Sequence, residues 1–214
     1  MGEMKLSHPT LAVFCGWPLS GKSTTAKLVA DALNKGRRPD AVQSAIHVAD
    51  IDPIRHATIG LPYPHPNESP ELAKKDGVEM GGAYTFLMRT IEWHLKEMRS
   101  LIVTATFSRR SGQRDLLRVY SAHFDERVGT NAMPCALRII QCIPTDDSEE
   151  LVNGIFKRHV FGDGGYVGGV NSPERYFEVK NRYEPIFLPH LKLETWPDQA
   201  PDTCATNALE YVIS

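Results

Sequence analysis

The stretch VFCGWPLSGKST, residues 13–24, runs three apolar residues into a glycine and places Gly-Lys-Ser five residues after that glycine. Residues 16–23 fit G-x-x-x-x-G-K-[ST] at every defined position, and a strand-like run precedes them while a helical pattern follows. Glycines let the backbone wrap closely around phosphate oxygens, and the N–H groups at the start of the helix supply positive potential. The stretch therefore predicts a Walker A phosphate-binding loop, or P-loop.

We expect this loop to bind ATP and Mg²⁺. Lys22 would reach the β- and γ-phosphates, and the Ser23 hydroxyl would ligate the metal ion. ATP is favoured over GTP only because the sequence lacks the NKxD motif with which GTPases recognise guanine. The predicted nucleotide-binding residues are Gly16, Ser20, Gly21, Lys22, Ser23 and Thr24.

The bulk composition indicates one soluble domain over residues 1–214. Hydrophobic residues make up 42% of the chain and charged residues 23%, which is ordinary for a globular protein. A formal net charge of −2 provides no global attraction for nucleic acid or an anionic membrane, so a small-molecule acceptor is favoured. The four cysteines match no zinc spacing, and we expect buried thiols in a cytoplasmic protein with no membrane association.

Short apolar runs alternate with helical patterns along the whole chain. Predicted strands lie at 11–15, 45–50, 101–107, 136–143 and 191–196, and predicted helices at 22–34, 74–98, 113–124, 146–159, from 173, and near 202–213. Parallel strands need crossover connections, which helices supply. The alternation predicts an α/β, three-layer P-loop NTPase fold with a five-stranded, mainly parallel sheet.

Two segments interrupt this alternation. Residues 57–73 contain four prolines and follow the second strand, so we expect an irregular loop that meets the acceptor, with His65 as a candidate contact. Residues 160–171 contain five glycines between two helical patterns, which is typical of a mobile lid extending over about 157–175.

The segment VADIDPIR, residues 48–55, places two acids at the carboxyl end of the second strand, where ligands bind in such folds. Asp50 and Asp52 share a face if the strand continues. A kinase needs one carboxylate for the acceptor hydroxyl and another for the metal, and Asp52 and Asp50 suit these roles in that order. Arg55 could clamp the acceptor. The alternative is a turn with solvated acids and a capping aspartate.

Two further features have open interpretations. Arg109 follows the third strand and is either part of a solvated basic turn or a contact for an anionic acceptor or a nucleic-acid phosphate. Trp17, inside the P-loop, could pack over the nucleotide, pack over the acceptor or fill space.

Four features together resemble the small P-loop kinases. They are GxPxSGKST after the first strand, D-x-D-x-x-R after the second, IVTATFSRR…QR at the third, and a late arginine-containing lid. That group includes polynucleotide 5′-hydroxyl kinases and zeta-toxin-like, chloramphenicol-phosphotransferase-like and gluconate-kinase-like enzymes. The resemblance implies transfer of the γ-phosphoryl group of ATP to a hydroxyl. It implies Lys22, Asp52 and the lid residue Arg158 as catalytic, and Arg55, Arg114 and Arg175 as substrate contacts.

Thr104 departs from the family pattern, which often has an aspartate at the end of the third strand. A threonine cannot be a carboxylate ligand, so either Asp50 serves the metal or the chemistry is weakened. Two functions therefore stay open: a kinase acting on a small molecule, a nucleotide-type acceptor or a nucleic-acid 5′ end, and a nucleotide-dependent switch without efficient transfer.

Overall fold

The computed structural model describes residues 6–35, 45–54, 70–127, 134–159, 170 and 172–214, with only the backbone described for 70–80 and 158–159. The strands are β1 (Thr10–Cys15), β2 (His47–Asp50), β3 (Leu101–Thr104), β4 (Ala136–Pro144) and β5 (Leu191–Thr195). The helices are α1 (Lys22–Asn34), α2 (Pro70–Lys96), α3 (Arg110–Arg127), α4 (Glu149–His159), α5 (Pro173–Asn181) and α6 (Pro201–Ile213).

The five strands form one sheet in the order β2-β3-β1-β4-β5, and every pairing is parallel. β1 lies at the centre, between β3 and β4, with Phe14 in register with Thr104 on one side and Ile140 on the other. The loop that leaves β1 therefore emerges in the middle of the carboxyl edge of the sheet. The predicted α/β class is confirmed, and the sheet is entirely parallel.

Alternate residues of the strands build two hydrophobic layers, because successive side chains of a strand point to opposite faces. Ala12 and Phe14 pack with α1 and α6, whereas Leu11 and Val13 pack with α2 and α3. Helices thus cover both faces of the sheet, which makes the predicted three-layer arrangement. All four cysteines are buried free thiols, as expected from the sequence.

A third, smaller cluster joins α4 and α5. Phe156 and Tyr176 are fully buried there, and the P-loop residues Trp17 and Leu19 pack against them. Ser172 caps α5, and its hydroxyl accepts a hydrogen bond from the Arg175 N–H at 3.2 Å, as the Ser-Pro pattern predicts. The helices that flank the predicted lid are thereby packed against the P-loop.

Several predicted boundaries are wrong. α2 begins at Pro70, so the end of the predicted 57–73 loop is helical, since proline is tolerated in the first helical turn. β3 ends at Thr104 rather than at 107. α4 begins at Glu149 rather than at 146, because the Asp146 side chain accepts a hydrogen bond from the Ser148 N–H and forms a turn there.

Gly16 is the position where the fold tolerates no side chain. Its φ is +135°, and a Cβ there would lie 2.3 Å from the carbonyl oxygen of Cys142 in β4. We expect Gly16→Ala to lower the free energy of unfolding by at least about 2 kcal/mol, because backbone rather than a side chain must move. Urea denaturation monitored by circular dichroism measures the change.

The matched control is Gly82→Ala in α2, where an added Cβ meets no atom within 4 Å. This substitution should raise stability by up to about 1 kcal/mol, because alanine is the better helix former. Equal effects of the two substitutions would contradict the packing assigned to Gly16.

Candidate nucleotide and acceptor site

Two glycines with positive φ shape the P-loop. Gly16 leaves β1, and its N–H donates to the Thr106 carbonyl oxygen at 3.4 Å. Gly21 has a φ of +75° and ψ of 5° at the N-cap of α1, a left-handed conformation that glycine adopts at no steric cost. The loop therefore ends at the amino terminus of α1, where Ser23 and Thr24 are exposed. Their backbone N–H groups belong to the first turn, which favours a bound anion.

The Lys22 side chain points back into the loop. Its Nζ donates to the Trp17 carbonyl oxygen at 2.7 Å and to the Ser20 hydroxyl at 3.4 Å. Burial lowers the pKa of this ammonium, and the Asp52 and Asp50 carboxylates act in the opposite direction. The P-loop thus holds a partly desolvated cation with two acids in its electrostatic reach.

Those two acids are placed by a turn and not by a continuing strand. β2 ends at Asp50, and residues 51–54 form a helical turn. The Asp50 Oδ1 accepts a hydrogen bond from the Asp52 N–H at 3.1 Å, as a capping aspartate does. The strand ends at Asp50 as predicted, so the condition under which Asp50 and Asp52 would share a strand face is not met, and the alternative of a capped turn is the one observed. Asp50 therefore caps the turn and, with Asp52, also lies within electrostatic reach of Lys22.

Thr104 stands beside Asp50 on the adjacent strand, since the two residues are in register between β2 and β3. Thr104 is 1% exposed, and its hydroxyl oxygen has no hydrogen-bond partner among the residues described. Asp50 is therefore in register with Thr104, the position at which the small P-loop kinases often have an aspartate.

A groove of about 980 Å³ lies between α2 and α3 and opens at the end of β3. Its described lining includes Arg109 and Arg175, which the sequence predicted as substrate residues, and it also includes Arg182. Arg114 is exposed on α3 and is not among the groove-lining residues. The structure therefore brings together two of the predicted substrate arginines.

The segment after α5 is tied to the start of α3. The Glu184 carboxylate accepts a hydrogen bond from the Arg110 N–H, and the Glu184 N–H donates to the Ser108 carbonyl at 2.9 Å. Buried Gln113 donates to the carbonyls of Phe107 and Glu184, each at 3.3 Å. These bonds position Arg182 beside the β3–α3 connection.

Tyr84 is a groove residue that lies within electrostatic reach of Asp52. It lines the groove, and its hydroxyl lies 3.2 Å from the Thr106 hydroxyl. Burial raises the pKa of the Tyr84 hydroxyl, and the Asp52 carboxylate adds to the rise. The Thr106 carbonyl oxygen in turn accepts the Gly16 N–H bond. One end of the groove therefore adjoins the P-loop.

Trp17 packs on the protein itself. Its ring meets Tyr183 edge-on, with centroids 5.6 Å apart, and the Lys180 ammonium lies 6.0 Å from its centroid. A second tryptophan, Trp196, donates from its indole nitrogen to the Leu19 carbonyl. Of the three interpretations of Trp17, packing within the protein is the arrangement observed here.

Solved structures of similar fold are known, although no protein-family model and no curated protein sequence matches this chain. A candidate kinase of Chloroflexus aurantiacus superposes with a TM-score of 0.66 at 17% identity, over 96% of this chain and 99% of that one. The chain has the fold of the small P-loop kinases.

Two further structures with this P-loop kinase fold were solved with ligands. The Mycobacterium tuberculosis APS kinase CysC, in complex with AMPPNP and APS, gives a TM-score of 0.60 at 16% identity over 97% of this chain and 99% of that one. Chaetomium thermophilum Kti12, in complex with ADP-AlF3, gives 0.57 at 16% identity over 95% of this chain and 100% of that one.

Several predicted residues lie outside the described part of the chain. These are Arg55, His65, the side chain of Arg158 and most of the predicted lid. Within the described ranges, no cluster of three metal-binding side chains occurs and no helix could cross a membrane.

Sequence reasoning missed four residues of this site: Tyr84, Gln113, Arg182 and Glu184. Tyr84 falls on the apolar stripe of its helix, so it resembled a core residue. Gln113 and Glu184 act through contacts between α3 and the segment after α5, 71 or more residues apart in sequence, and no local pattern reports such contacts. Arg182 lines the groove only because that segment folds back onto the start of α3. The proximity that identifies these residues exists only in the folded chain.

Lys22→Met tests the desolvated cation of this P-loop. A lysine whose folded-state pKa lies below its ordinary 10.5 binds fewer protons than in the unfolded chain, so its stability penalty is relieved as the pH rises toward 10.5. We therefore expect the difference in unfolding free energy between wild type and Lys22→Met to shift in favour of wild type as the pH rises from 7 to 10. Urea denaturation across that range measures it.

A Lys22→Met protein should also lose the thermal stabilisation that Mg²⁺·ATP gives wild type. Lys27→Met, an exposed lysine on α1, is the control and should keep both behaviours. Unchanged ATP stabilisation in Lys22→Met would contradict the assignment of Lys22 to the phosphates.

Proposed function

We propose that this protein is an ATP-dependent phosphotransferase that moves the γ-phosphoryl group to a hydroxyl acceptor, with Mg²⁺ as cofactor. The observation on which the proposal depends is the convergence of Lys22, Asp50 and Asp52 at the carboxyl edge of the sheet. A phosphate cradle alone would suit any nucleotide-binding protein. A carboxylate pair beside the P-loop lysine is what a kinase requires in addition.

The solved relatives support the nucleotide. One was solved with AMPPNP and another with ADP-AlF3, and both share the fold over nearly the whole of this chain. By analogy, residues 16–24 would hold the triphosphate, with Gly16, Ser20 and Gly21 shaping the loop and Lys22, Ser23 and Thr24 facing the phosphates.

The metal would be held by the Ser23 hydroxyl and the Asp50 carboxylate. Both offer oxygen atoms, the ligands that Mg²⁺ prefers, and Thr104 supplies no carboxylate at the end of β3. When bound, the metal ion neutralises charge on the β- and γ-phosphates.

Asp52 would accept the proton of the acceptor hydroxyl or orient it. Its backbone N–H is fixed by Asp50, so the turn that contains it is preorganised. Arg55, His65, Arg114, Arg158 and Arg175 stay proposals as acceptor or lid residues. A closing lid would exclude water and limit wasteful hydrolysis.

Transfer of label from γ-³²P-ATP to a panel of hydroxyl acceptors tests the proposal. Asp52→Asn should lower acceptor-dependent turnover by about 100-fold or more, because general-base assistance is worth about that much. The affinity for Mg²⁺·ATP should stay within about twofold. Asp31→Asn, an exposed acid on α1, should behave like wild type. Full turnover in Asp52→Asn would contradict the assignment of Asp52 to the acceptor hydroxyl.

Asp50→Asn separates the metal role from that of Asp52. It should raise the Mg²⁺ concentration needed for half-maximal turnover several-fold, because one hard anionic oxygen is lost. Magnesium titrations of the transfer assay measure this shift. An unchanged magnesium dependence would place the metal ligand elsewhere.

The second candidate is a nucleotide-dependent switch, and the observation that favours it is the buried Thr104 at the end of β3. A switch would bind ATP and change conformation or partner with nucleotide state. It would show no acceptor-dependent turnover. Tight nucleotide binding with no transfer to any acceptor would favour this alternative.

A further inference from the structure

The α2–α3 groove has an excess of positive charge although the chain as a whole is slightly acidic. Its described lining contains two carboxylates, Glu92 and Asp115. Six basic side chains line it: Arg89, Lys96, Arg109, Arg118, Arg175 and Arg182. The formal net charge of the chain is −2, so the basic residues are concentrated in this groove rather than spread evenly.

Most of these cations share their carboxylates. Glu92 pairs with both Arg89 and Lys96, at 2.9 Å each. Glu178 pairs with Arg175 and Arg182, the latter at 3.1 Å. Arg109 forms no ion pair with any described residue. The local charge is therefore incompletely compensated.

Three of the six cations come from the segment after β3 and from α5 and the residues that follow it: Arg109, Arg175 and Arg182. The Glu184 backbone N–H donates to the Ser108 carbonyl oxygen, which holds the chain around Arg182 next to the segment that contains Arg109. Arg175 lies close to Arg182, because both guanidinium groups pair with the carboxylate of Glu178. Two carboxylates lie near these three guanidinium groups: Glu178 pairs with Arg175 and Arg182, and Glu184 accepts the Arg110 N–H beside Arg109. The cations still outnumber the acids, and a guanidinium offers paired N–H donors suited to a phosphate or sulfate.

We propose that this groove binds the acceptor, and that the acceptor bears a phosphate or sulfate group in addition to the hydroxyl that is phosphorylated. The inference rests on the proposed function. Tyr84 lines the groove, its hydroxyl lies 3.2 Å from that of Thr106, and the Thr106 carbonyl oxygen accepts the Gly16 N–H bond. A molecule seated in the groove would therefore lie beside the P-loop that is proposed to hold the transferring group. Along α2 the groove extends from Gly81 to Lys96, about 22 Å at 1.5 Å per residue, which accommodates a nucleotide-sized molecule.

In the transfer step, the acceptor hydroxyl oxygen forms a bond to the γ-phosphorus of ATP while the bond to the β,γ-bridging oxygen breaks. ADP leaves, and the hydroxyl proton passes to Asp52 or to solvent. The anionic group of the acceptor stays on Arg109 and Arg182 and takes no part in the bond changes. These arginines therefore act on acceptor affinity.

The test measures kcat and KM for γ-³²P-ATP transfer to pairs of acceptors that differ by one phosphate. The pairs are adenosine with adenosine 3′-monophosphate, glucose with glucose 1-phosphate, and glycerol with glycerol 3-phosphate. A 5′-hydroxyl tetranucleotide is included to distinguish a small phosphoester from a nucleic-acid source. In at least one pair the phosphorylated member should give a kcat/KM at least 10-fold above that of its neutral twin.

Three variants examine the arginines. Arg109→Gln should raise KM for the anionic acceptor by about 10-fold with kcat little changed, and Arg109→Lys should recover part of that loss. Glu178→Gln removes the carboxylate that competes for Arg175 and Arg182, and should lower KM for the same acceptor. Lys192→Gln, which removes a positive charge from the exposed edge strand β5, should have no effect.

Equal or better turnover of the neutral acceptors would overturn the anionic class and leave the phosphotransferase standing. Equal effects of Arg109→Gln and Lys192→Gln would overturn the groove as its binding site. Absence of transfer to every acceptor, with Mg²⁺·ATP still bound, would overturn the proposed function and this inference together.

Discussion

The close approach of Gly16 to the carbonyl of Cys142 is the constraint from which the site follows. β1 lies between β3 and β4, so the chain that leaves it must turn against the end of β4 before it can begin α1. Only a residue without a Cβ fits there, and the turn then points its N–H groups and the amino terminus of α1 to the same space. A central strand, a glycine and a helix start together create an anion site.

The second constraint is electrostatic. The Lys22 ammonium is partly desolvated in the P-loop, where it donates to the Trp17 carbonyl and the Ser20 hydroxyl. Such a cation is costly without counter-charge, and Asp50 and Asp52 supply some of it from the neighbouring β2 turn. A triphosphate would supply more. The loop therefore favours a polyanion, and we propose that the same two acids serve the metal ion and the acceptor.

The P-loop, the α/β class and the parallel sheet could be predicted because each depends on local patterns: a motif with its strand and helix, and apolar runs alternating with helical stripes. The start of α4 was predicted wrongly because the Asp146 side chain forms a turn that the periodicity does not reveal, whereas the end of β2 at Asp50 was predicted correctly. The groove could not be predicted at all. Its shape depends on Gln113 and Glu184, which join α3 to a segment some 70 residues later. Its charge depends on basic side chains that several separate elements contribute to one lining.

A crystal structure with Mg²⁺ and AMPPNP tests the central claim most directly, because Lys22 is the group that must move. The account predicts that its ammonium leaves the Trp17 carbonyl, now 2.7 Å away, and contacts the β- and γ-phosphates. The terminal phosphate should then face Asp52. A structure in which Lys22 stays on the Trp17 carbonyl while the nucleotide binds elsewhere would contradict it.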